Sequence, residues 1–174
     1  MRKIILFIAL VSSYSCMRAQ IDTNYFERDE SINLFVFIGE KISVVEFDPN
    51  ENNKVKVVDP VTKDTIVKQR HIMDYAFRVK FKVLQNVFNE LKTDTIEFVA
   101  YNHYGRPGFE SYKNSMIYIS KSEQGDYYYH QKYQFNPLKG VDRKWQGLKG
   151  ESIKELFENK KNGVLKARGL FKEN

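Results

Sequence analysis

The residues best suited to chemistry fall in two stretches. The first is Asn102-His103-Tyr104-Gly105-Arg106-Pro107-Gly108-Phe109-Glu110. Two glycines and a proline shape a defined turn there, and His103, Tyr104, Arg106 and Phe109 are large side chains for a loop to carry. An aromatic ring beside an arginine suits stacking on a sugar ring, a peptide or an aromatic ligand. The competing reading folds Tyr104 and Phe109 back on the protein body and pairs Arg106 with Glu110. The second stretch is Tyr127-Tyr128-Tyr129-His130-Gln131-Lys132-Tyr133-Gln134-Phe135. Plain strand alternation puts Tyr127, Tyr129, Tyr133 and Phe135 on one face, and Tyr128, His130, Lys132 and Gln134 on the other. Tyr128 and His130 are the candidate ligand contacts there, and the alternative makes the aromatic row an ordinary core face.

Reactive groups outside these stretches form no pattern that specifies a reaction. His71, His103 and His130 lack the spacing of metal ligands, no cysteine stands near them, and there is no Gly-x-Ser-x-Gly elbow. The expectation is therefore no catalytic residue, no metal and no cofactor. The other reading is a hydrolase or protease inhibitor whose site assembles from distant residues.

The chain opens with the order of an export signal: basic Arg2-Lys3, apolar Ile4 to Val11, then small and polar residues to Ala19-Gln20. The apolar run is much shorter than the roughly 20 residues that span a bilayer as a helix. Residues 1–19 thus read as a signal peptide and 20–174 as the working protein, periplasmic or secreted. Cleavage after Ala19 places Met17 in a pocket that prefers small side chains. Cleavage after Ser15 satisfies both pockets and leaves Cys16 at the N-terminus, where lipidation would anchor the protein to a membrane, although the stretch before it lacks the usual aliphatic residue. Cys16 is the only cysteine, so the working protein has no internal disulfide. Loss of Arg2, Lys3 and Arg18 lowers the net charge from +6 to +3. So mild a balance, together with export, argues against a nucleic-acid partner and leaves an envelope protein, a peptide or a glycan.

The elements that must position these residues are mostly strands in one domain. Ile32–Ile38 and Ile42–Phe47 flank Gly39-Glu40-Lys41, a tight turn or a bulge in one bent strand. Lys54–Val58 and Thr65–Gln69 flank a Pro-containing loop and read as a hairpin. Phe77, Val79, Phe81 and Val83 alternate with Arg78, Lys80 and Lys82, Thr95–Tyr101 is a further apolar strand, and Met116–Ser120 with Tyr127–Phe135 forms a second hairpin. Val87–Leu91 reads as a short helical turn. One helix is expected at about 151–161, where Ser152 and Glu155 make a capping box and Ile153, Leu156 and Phe157 share a face. Trp145 is expected to anchor the tail.

The run Ala76–Leu84, followed by Val87-Phe88, Asp94–Val99 and Met116–Ile119, resembles the OB-fold barrels of the netrin and tissue-inhibitor-of-metalloproteinase type. The resemblance spans about 100 residues and is one of pattern. It implies a mainly β fold, a small Greek-key barrel over about 32–135 with a hairpin insertion and one C-terminal helix. It implies no inhibitory residue, because the disulfide scaffold and metal-chelating cysteine of those inhibitors have no counterpart here. The expected function is an exported binding or assembly module of the cell envelope.

Overall fold

The computed structural model describes residues 25–171 except 52 and 70, so the expected leader, its two candidate cleavage points and Cys16 lie outside the described residues. Eight strands follow in chain order: β1 (Phe35–Phe47), β2 (Lys54–Val58), β3 (Thr65–Gln69), β4 (Tyr75–Phe88), β5 (Thr95–Asn102), β6 (Asn114–Lys121), β7 (Tyr128–Val141) and β8 (Lys144–Gly147). A helix, α1 (Ile153–Lys160), comes near the end.

The strands close into a ring. The order β5-β4-β1-β6-β7 is antiparallel throughout, and a short parallel contact between β5 and β7, at Phe98 opposite Tyr128 and Val99 opposite Tyr129, shuts it. A five-stranded Greek-key ring of this kind is an OB-like barrel. The β2–β3 hairpin is inserted between the first two barrel strands and forms a separate two-stranded sheet with nearly every residue exposed.

Long continuous apolar runs mark strands covered on both faces. Val36–Ile38 and Ser115–Ser120 are buried throughout. Phe37, Ile117 and Ile119 point into the barrel with Phe77, Phe81 and Phe98. Val36, Ile38, Met116 and Tyr118 point outward, under Ile153, Leu156 and Phe157 of the helix. Gly39 makes the bend in β1 possible, because a Cβ there would stand 2.8 Å from both the Phe37 and Phe81 rings. β1 is thus a single bent strand, with register shifts on both sides of Gly39.

The capping box forms as expected, with Ser152 Oγ accepting from the Glu155 backbone N–H at 3.2 Å and Glu155 accepting from the Ser152 N–H at 2.8 Å. Trp145 lies half-buried against the cluster beneath the helix. Two local expectations are corrected. Val87 and Phe88 end β4, and no helical turn forms there, because both side chains fill the cluster beneath the helix. β7 runs on to Val141 and turns through Asp142 and Arg143, both with positive φ, into β8.

Candidate functional site

The two stretches that stood out in the sequence meet at one end of the barrel. The loop after β5 and the middle of β7 enclose a pocket of about 310 Å³ lined by Tyr101, Asn102, Tyr104, Arg106, Phe109, His130, Tyr133 and Phe135, among others. Four of the six candidate contacts, Tyr104, Arg106, Phe109 and His130, line it.

Phe109 is the floor and is fully buried, which corrects its expected place as an exposed contact. Pro107 starts a short 3-10 turn, Gly108–Ser111, that drops Phe109 into the barrel end against Phe81, Phe98 and Phe135, with ring centroids 5.8–6.2 Å apart. The Phe135 ring presses so close to Gly108 that a Cβ there would meet it at 3.1 Å. The loop aromatic is therefore the barrel's plug.

His130 is the second floor residue, 6% exposed, with its ring edge-on to Phe109 at 5.0 Å. Its Nε2 lies 2.8 Å from the Gln134 carbonyl, which can only accept, so the proton sits on Nε2. Burial pushes its pKa down to about 4, with Arg168 and Lys160 adding to the shift, and the ring is neutral near pH 7. The sequence alternation that put His130 on a surface face fails because β7 is bulged. Ile119 pairs with His130 and Ile117 with Phe135, so one residue of β6, Tyr118, faces four of β7, Gln131–Gln134. The extra residues hold Tyr133 at φ +67°, a backbone region that bulky side chains avoid.

The bulge is clamped from two sides. Lys160 donates to Gln134 Oε1 at 2.9 Å, and Arg168 donates to Gln131 Oε1 at 3.2 Å and to the Lys132 carbonyl at 2.8 Å. On the other side Lys132 and His103 both hold Asp74, at 2.6 and 3.1 Å, and the Lys132 ammonium in particular keeps that carboxyl below its usual range.

At the mouth, Tyr104 is 83% exposed and lies nearly parallel to Tyr133, which is 45% exposed, with ring centroids 6.3 Å apart. Arg106 stands at the rim, but its charge is already matched. It forks onto Glu110 at 2.6 and 2.7 Å, lies 3.6 Å from Glu46 and donates to the Val44 carbonyl at 3.1 Å. That pairing holds Glu110 below the ordinary carboxylate range.

His103 packs edge-on against Tyr104 and serves the Asp74 bridge, so it acts beside the pocket rather than in it. Tyr128 is away from the pocket; it is half-buried against Phe35 at 5.5 Å and the barrel interior, because β7 turns it inward ahead of the bulge. Sequence reading missed Asn102. It is 7% exposed, its amide nitrogen donates to the Gly105 and Arg106 carbonyls at 2.8 and 3.1 Å, and no protein donor among the described residues reaches its Oδ1. An asparagine directly before a Gly-containing loop was the available signal, since such residues bond to the turn that follows.

The described residues hold no group of three or more His, Cys, Asp or Glu side chains able to bind a metal, and no helix long and apolar enough to cross a membrane. The barrel and its end pocket define the class of the molecule: a small OB-like barrel with an aromatic-lined pocket at one end. Comparison with protein-family models, with curated proteins and with solved structures finds no match to the chain.

Proposed function

We propose that this protein is an exported binding module of the cell envelope, and that its ligand, a peptide or a glycan, seats in the barrel-end pocket. The observation that carries the reading is the Tyr104–Tyr133 pair at the pocket mouth, one ring almost fully exposed and the other held by a strained backbone. Strain of this kind costs about 1–3 kcal/mol and persists only where the surroundings impose it, most often at binding sites. The clamps from Lys160, Arg168 and Asp74 supply that constraint.

The export half of the reading rests on the leader, with attachment to the membrane following only if Cys16 is lipidated. The likeness to netrin and tissue-inhibitor barrels supports the fold and carries no inhibitory role. Two measurements test the proposal. The intact mass of the protein from an expressing bacterial culture should begin at Gln20 or carry acyl chains on Cys16, and a mass retaining residues 1–19 would overturn export. Immobilised protein should retain a peptide or glycan from envelope extracts, and Tyr104→Ala should abolish this while Val61→Ala, at the exposed hairpin tip, does not. Equal retention by both variants would overturn the pocket.

A further inference from the structure

We infer that the β2–β3 hairpin is a self-association surface: β3 pairs antiparallel with β3 of a second copy of this chain, forming a four-stranded sheet across a two-fold axis at Val67. The surface stands apart from the pocket proposed above and does not depend on its ligand. All five residues of β3 and four of the five in β2 are exposed, with Val55, Val58 and Val67 each at 58–59%. Each of these strands pairs only with the other. Two strands alone are marginal in water, and further strands on a free edge are what stabilises them.

Hydrogen-bond parity decides which groups each edge presents. The Asp59 N–H donates to the Asp64 carbonyl at 2.8 Å, which makes Asp59 and Asp64 a hydrogen-bonded pair. Alternation then turns the backbone of Ile66 and Lys68 towards β2, and that of Thr65, Val67 and Gln69 outward. On β2 the outward residues are Lys54, Lys56 and Val58. Edge lysines guard against pairing, and full-length self-pairing of β2 would set Lys56 directly against the partner's Lys56. No such bar exists on β3. Centred on Val67, its outward groups meet as Val67 with the partner's Val67, and Thr65 with the partner's Gln69 on either side. Ile66 falls opposite the partner's Lys68. A contact of this isologous kind closes at two copies.

Charge complementarity favours a second copy as the occupant. Asp64 and Lys68 are exposed, lie on one face of the ribbon, and form no ion pair among the described residues. Four residues apart on one strand, they are separated by about 13 Å and cannot meet within a single chain. Across the two-fold axis they become diagonal neighbours, Asp64 beside the partner's Lys68 and Lys68 beside the partner's Asp64, at about 7–8 Å between backbones and within a lysine's reach. The right-handed twist of paired strands closes this diagonal and opens the one between the two Lys68 side chains. Val55, Val57 and Ile66 of each copy then line the same face of the joint sheet.

The test follows the full chain, expressed with its leader, by sedimentation equilibrium from micromolar to millimolar concentration, the range suited to a small interface. A reversible monomer–dimer equilibrium is expected. Val67→Pro removes an outward N–H and no hydrogen bond within the hairpin, so it should leave the barrel's amide spectrum unchanged and weaken the dimer at least about tenfold. Asp64→Lys and Lys68→Asp should each weaken it at least about tenfold, and the two combined should bring it back to within about threefold of the original. A chain that stays monomeric throughout would overturn the inference. So would a dimer that withstands Val67→Pro, or charge reversals that leave it unchanged or fail to rescue one another.

Discussion

Three aromatic or imidazole residues that look alike in the sequence do different work. Phe109 plugs the barrel, so Phe109→Ala should cost about 3–5 kcal/mol of unfolding free energy by denaturant titration, the usual range for an enclosed phenylalanine. Tyr133 carries backbone strain at the pocket mouth. Tyr133→Gly should therefore be about 1 kcal/mol more stable than Tyr133→Ala, since both lose the ring but only glycine relieves the positive φ, a difference that calorimetry reads directly. His130 is held neutral beside the cations Lys160 and Arg168. Its pKa is about 4 when folded and near 6.5 when unfolded, so between those values the unfolded chain binds the extra proton. Stability is then full above about pH 7 and falls as pH drops from 6.5 towards 4, by up to about 3 kcal/mol. Asp74 and Glu110, with lowered pKa values, add a loss in the same direction at lower pH. The comparison that isolates His130 is urea unfolding at pH 7, 5 and 4 beside His130→Gln, whose slope between pH 6.5 and 4 should be shallower. Equal slopes would contradict the assignment.

Among the elements, the strands were legible where side chains alternate or run on without a break. Phe77–Val83 announced a half-buried strand, and Gly39 between two apolar runs left a tight turn or a bent strand, of which the bent strand forms. What failed to show were departures from period two. The four-for-one bulge in β7 brings Phe135 to the same side as His130, so alternation counted back from Phe135 put His130 on the wrong face, and no glycine marks the place. The turn into β8 uses Asp142 and Arg143 at positive φ, where glycine or asparagine would have signalled it. Phe109 lies in a loop by sequence, and only closure of the ring turns that loop into a plug. The candidate loop was thus found from its composition, but its division into floor, mouth and rim needed the fold. One element looks dispensable to that fold. The β2–β3 hairpin stands off the barrel with both strands exposed, and an isolated hairpin adds little stability. Replacing residues 54–69 with a short Gly-Asn turn should shift the melting midpoint by no more than about 3 °C in a thermal scan, and a large drop would show that the hairpin braces the barrel.

In the whole molecule, the barrel is covered on one side by α1 and closed at one end by Phe109. The Asn102–Phe109 loop and the β7 bulge offer aromatic surface to solvent around a defined pocket. The clamp residues Lys160 and Arg168 come from the C-terminal segment, so the helix that covers the barrel also fixes the pocket's far wall. The measurement that tests this account most directly is a map of amide shifts in the labelled protein on addition of saccharide and peptide fractions from bacterial envelopes. The account requires the perturbed residues to cluster in 101–109 and 130–135, and to fall silent in Tyr104→Ala. Shifts confined to the β2–β3 hairpin or the outer faces of β4 and β5, with the loop and bulge unmoved, would contradict it.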